Sequence, residues 1–159
     1  MKKYISVVSV ALIVSLAFIS LSGCMGAATP IPEEGTIEQG DLTVDYSSDA
    51  QKSVELPAGY PKDLMPVFEN AFVTVVSTLG SENSFMVSAF CKEPVQEVGA
   101  FYKDFLKDTE IIMSMDEGNE FSIVGNKGNY AYQVVVMESS EMEADGYSTA
   151  LIINLTPNQ

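Results

Sequence analysis

The sequence predicts an α+β domain, a single antiparallel sheet with one helix packed on one face, in the order ββαββββ. Three observations lead there. The stretch from Lys92 to Asp108 sets apolar residues three and four apart, the spacing of one helix face. Around it lie short runs rich in Val, Ile, Phe and Tyr, the composition of strands. Gly, Asn and Asp clusters too short for crossovers separate those runs, which makes neighbours antiparallel.

Order is expected from LPAGYPKDLMP onward, where three prolines and a glycine make a stiff, turned lead-in. A β-branched run from Ala71 to Leu79 is the first strand, stopped by Gly80. Phe85 to Cys91 is the second, returning after a polar turn as a hairpin. Pro94 then suits the first helical position, and Glu93 and Glu97 lie where the helix dipole favours anions. Val95, Val98, Phe101, Tyr102, Phe105 and Leu106 form the apolar stripe of that helix. Gly99 costs about 1 kcal/mol relative to alanine inside a helix and would let it approach a sheet closely. Four more strands are expected: Glu110 to Met115, Asn119 to Val124, Asn129 to Glu138 and Tyr147 to Leu155.

Residues 24–55 read differently. They are rich in Gly, Pro, Ser and acid and show no sustained period, so they are expected to form a flexible acidic tether. Leu42, Val44 and Tyr46 alternate within it, the pattern of a stray strand. The domain proper is placed at 56–159.

The N-terminus carries Lys2 and Lys3, then an uncharged run from Ile5 to Leu21, then Leu21-Ser22-Gly23-Cys24. Positive charge before the run and small residues after it suit a signal peptidase better than a stop-transfer boundary. Leu21-Ser22-Gly23-Cys24 resembles the lipobox of prokaryotic lipoproteins. The resemblance implies a signal peptide over residues 1–23, cleavage before Cys24, and a diacylglycerol thioether on its sulfur. Each buried acyl methylene adds about 0.8 kcal/mol, so two or three chains hold a protein to a bilayer. By the same family rule Met25, which is not Asp, would permit passage to an outer membrane, and in a single-membrane cell the body would face outward. The ordered part also resembles small secreted or lipid-anchored domains that open on LP-x-x-YP-x-D, here Leu56 to Asp63, and carry FY-x-x-x-L, here Phe101 to Leu106. That resemblance implies a fold and no activity.

The chain has 22 acidic residues against 8 lysines, with no histidine. Removing residues 1–23 removes Lys2 and Lys3 and no acid, which leaves 6 lysines against 22 acids. Such a body lacks the clustered cations that bind nucleic acid and is repelled by an anionic lipid surface. Without histidine there is no Ser-His or Cys-His pair, and neither a Gly-x-Ser-x-Gly elbow nor a Ser-x-x-Lys dyad occurs. With Cys24 acylated, Cys91 has no intrachain partner and reads as a small core hydrophobe.

Other patterns each have a plain structural role beside a chemical one. Glu141-x-Glu143-x-Asp145-Gly146 opens like a calcium loop, but its twelfth position is Ile152, where a bidentate Glu is needed, so it reads as a solvated hairpin tip. Met113-Ser114-Met115 has the spacing of a copper(I) thioether site, to which Cys91 could add a soft ligand; core packing is the plainer role. Asn154-Leu155-Thr156 fits a glycosylation acceptor. Tyr130, Tyr132 and Tyr147 would make an aromatic binding platform, against the alternative of a half-buried rim. The strand carrying Tyr130 is apolar on both faces, Val134 and Val136 on one and Ala131, Val135 and Met137 on the other. A single helix would leave part of that surface uncovered, which suits a partner or a dimer.

The function expected is that of a non-catalytic binding module, lipid-anchored in the cell envelope and facing the extracytoplasmic side. Its partners would be the membrane through Cys24 and another envelope protein or a second copy; no cofactor and no nucleic acid are expected. The alternatives are a carrier of a small ligand or metal ion and a carboxylate-based hydrolase.

Overall fold

The computed structural model describes residues 32–49, 52–80 and 82–158. Eight strands form one sheet: β1 (Glu34–Gln39), β2 (Leu42–Ser47), β3 (Phe72–Leu79), β4 (Ser84–Cys91), β5 (Glu110–Asp116), β6 (Glu120–Lys127), β7 (Tyr130–Glu138) and β8 (Thr149–Pro157). Helix α1 (Val95–Phe105) joins β4 to β5. In space the order is β1-β2-β3-β4-β8-β7-β6-β5, with every neighbouring pair antiparallel.

The connection explains this order. After β4 the chain crosses the sheet as α1 to the far edge, starts again at β5, and meanders back until β8 pairs with β4. On that path α1 lies over β6 and β7. Val95, Val98 and Tyr102 are its buried face, continued by Leu106 just past its end. Burying each such side chain contributes about 1.5–3 kcal/mol. Gly99 is the close-approach point, since a Cβ there would come within 3.1 Å of the Phe121 side chain on β6. Beside the helix, the proline-rich lead-in packs on the core of the same sheet face. Tyr60 and Met65 are buried there, and Val54 and Leu56 pack against the core. The hydroxyl of Tyr102 donates to the Pro66 carbonyl at 3.0 Å, joining the two covers.

The expected order ββαββββ is corrected to ββββαββββ, a sheet two strands wider than expected. The extra hairpin, β1 and β2, lies in the stretch read as a tether. Gly40 at φ +61° opens its two-residue turn with Asp41, the backbone that a tight hairpin requires. The hairpin escapes a core-seeking reading because it contributes nothing to the core cluster. It is held by ladder pairing with β3, from Leu42 opposite Leu79 to Tyr46 opposite Val75. Its acids and its few apolar residues point to opposite faces.

Candidate functional site

One face of the sheet is the core. Val87, Ala89 and Cys91 on β4, Leu151, Ile153 and Leu155 on β8, and Val134 and Val136 on β7 are at most 2 % exposed beneath the helix and the lead-in. The alternate residues of the same strands face the other way.

Residues directly opposite across a ladder share a face, so the register traces what lies on that second face. Ile37 is opposite Val44, Val44 opposite Ser77, and Ser77 opposite Met86. The row continues through Asn154, Gln133 and Val124 to Met113 on the far edge. A second row begins at Gly35 and passes through Tyr46, Val75 and Ser88. It then reaches Ile152, Val135, Ser122 and Met115. Both rows cross all eight strands without meeting a charged residue.

Most acids of the strands are on the other side. Glu34 is opposite Ser47, Glu38 opposite Thr43, and Asp45 opposite the core residue Val76. Asp116 is opposite the buried Phe121, and from there it takes an ion pair from Lys103 of α1 at 3.3 Å. Only at the β5–β6 margin do Glu110 and Glu120 reach the open side, opposite Asn126 and Met137. At one end this face is closed by Tyr147, whose ring lies 5.6 Å from that of Phe72. Phe72 is buried yet stands outside the core cluster, beside Phe90 on the open side. Within the first row Asn154 donates from Nδ2 to Oε1 of Gln133 at 3.3 Å.

The residues singled out in the sequence fall elsewhere. Cys24 and the apolar run from Ile5 to Leu21 lie outside the described residues. Tyr130 and Tyr132 do not form an exposed platform with Tyr147. They belong to the core cluster, Tyr132 only 2 % exposed with its hydroxyl 2.7 Å from that of Thr109. The reason is β7's register, which sets Tyr132 opposite Leu155 on the helix side. Tyr147 instead packs on Phe72, with the Lys92 ammonium 5.1 Å from its ring. Met113 and Met115 sit on the open side of edge strand β5, whereas Cys91 is fully buried under the helix, so the three do not converge. Burial, then the charge of Glu93, pushes the Cys91 thiol up to about 12, which leaves it an inert core group.

Other features carry less chemistry. A cleft of about 450 Å³ beside the start of α1 is lined by Gln96, Glu138, Ser139 and Glu143 among others. Among the described residues no three His, Cys, Asp or Glu side chains converge as a metal site. The acidic loop holds a 3-10 turn at Glu143–Asp145, and Glu141, Glu143 and Asp145 are exposed. Among the described residues, no helix is long and apolar enough to cross a membrane.

Sequence reasoning had half of this surface in view, through the two-faced apolar pattern of β7. It missed β1 and took β2 for a stray strand within a tether, although Ile37, Val44 and Tyr46 extend the same rows. The available signal was the Gly40-Asp41 turn just ahead of the alternating Leu42, Val44 and Tyr46. Comparison with protein-family models, curated proteins and solved structures finds no match. The functional reading rests on the chain's own residues.

Proposed function

We propose that the protein is a lipid-tethered binding module that meets its partner through the open face of its sheet, without catalysis. The observation that carries this reading is the pair of uncharged rows spanning all eight strands. The middle of a sheet face that stays wet has no reason to run uncharged across eight strands in a chain with 22 acids. A face that is dried on contact does, because an unpaired charge is costly to desolvate.

The tether is supported by Leu21-Ser22-Gly23-Cys24 and its lipoprotein resemblance, with the body on the outer side of the bilayer. A ligand carried between helix and sheet is disfavoured, since Val98, Tyr102 and Leu106 fill that space with no exposure. Chemical cross-linking in intact membranes, followed by mass spectrometry, tests the reading. A specific neighbour joined through peptides of the open face is expected. Recovery of unrelated abundant proteins alone would count against it. Cell fractionation of Cys24→Ser tests the tether: an unprocessed precursor is expected, and wild-type processing and retention would remove the lipid from the account.

A further inference from the structure

We infer that the partner of the open face is a second copy of the same chain, packed sheet against sheet about a two-fold axis. The inference rests on the proposed reading of that face as the binding surface, and three observations select the occupant.

The first is chemical. A two-fold interface sets like against like near its axis. Charged residues cannot meet their own copies there, whereas apolar residues can. Ser, Thr, Asn and Gln can too, because each both donates and accepts hydrogen bonds. The polar members of the two rows are Ser77, Ser88, Ser122, Gln133 and Asn154, all of that self-pairing kind.

The second is size. Strands about 4.8 Å apart, rising about 3.3 Å per residue, give the six from β2 to β6 a footprint on the order of 700 Å². A standard-size interface buries roughly 800 Å² per partner. The area available is therefore what a stable dimer needs.

The third is the placement of the hairpin. β1 and β2 add nothing to the core, yet they turn Ile37, Leu42, Val44 and Tyr46 to the open side and Glu34, Glu38 and Asp45 away from it. In a lone chain that orientation leaves Ile37 51 % exposed. Against a second twisted sheet, aligned at about −30° and about 10 Å away, the same residues extend one continuous apolar layer. The acidic surfaces of both copies then face outward.

The test places single cysteines in the full chain, in intact membranes, at Met86→Cys, Val135→Cys or Ile152→Cys. Gln96→Cys on the exposed side of α1 is the control, and Cys91 stays buried. A thiol-specific cross-linker should give an adduct of twice the chain mass from at least one open-face position, well above wild type, and none from Gln96→Cys. An adduct with a protein of another mass would overturn the second copy while leaving the open face as a binding surface. No adduct from any open-face position would overturn both. As a check that needs no variant, sedimentation of the wild-type full chain in detergent should give a dimer mass; a monomer at every concentration overturns the inference. Val135→Lys, which sets like charges together in the interface, should weaken association at least about a hundredfold.

Discussion

Tyr132 lies with its hydroxyl over the bare α-carbon of Gly125, its cross-strand partner on β6. A Cβ at Gly125 would collide with that phenol and with the Glu110 carbonyl of β5. The backbone oxygen cannot swing aside, so the sheet itself would have to move. Gly125→Ala is expected to lower stability by about 3 kcal/mol, the upper part of the usual overpacking range. A urea melt of the full chain checks this, and an unchanged midpoint would show that β5 is not held as described.

Tyr102 joins helix to lead-in. Its ring is fully buried and its hydroxyl donates to the Pro66 carbonyl. Tyr102→Phe keeps the ring and strands a carbonyl, so a loss of about 1–2 kcal/mol is expected. Amide hydrogen exchange should quicken around Leu64 and Met65, whose N–H groups bond to the Pro61 carbonyl. Faster exchange confined to α1 would place the defect elsewhere.

The helix and the strands after Ala71 were legible because burial imposes period. Val95, Val98, Tyr102 and Leu106 repeat at helical spacing, and β4 alternates from Phe85 to Cys91. The fold class was misjudged where burial does not act. In β1 a lone apolar residue, Ile37, stands among Glu34, Glu38 and Gln39, so composition resembles a solvated tether. What orders the segment is backbone pairing, which leaves little trace in side-chain type. Likewise Tyr130 and Tyr132 look like a surface pair by type, and only the register, which no single segment contains, sends them under the helix.

Burial of Cys91 makes stability fall in alkali. Its folded thiol is pushed up from 9.0 to about 12, so the unfolded chain loses that proton first as pH rises. Stability attributable to Cys91 is complete below about pH 9 and is lost between the unfolded value and about 12. Tyr60 and Tyr102, also raised by burial, steepen the decline above pH 10. Melting temperature should therefore drop across this window, more shallowly in Cys91→Ala. Native protein at pH 8 should resist iodoacetamide at Cys91 until unfolded, and rapid alkylation would show that the thiol is not in the core.

Ile152 and Ile153 are sequence neighbours with opposite tasks. Ile153 is fully buried under the helix, while Ile152 is half-buried in the second open-face row, opposite Ser88 and Val135. Ile153→Ala leaves a cavity and should cost about 2–5 kcal/mol at any protein concentration. Ile152→Ala removes no core contact, so in dilute protein the loss should stay near 1 kcal/mol, as for a partly exposed site. A dimer that binds only folded chains raises the melting temperature as concentration rises. Wild type and Ile153→Ala should both show that dependence, offset by the stability difference, and Ile152→Ala should largely lose it. Equal concentration dependence in both variants would mean that any association uses another surface and that the uncharged rows are not where two chains meet.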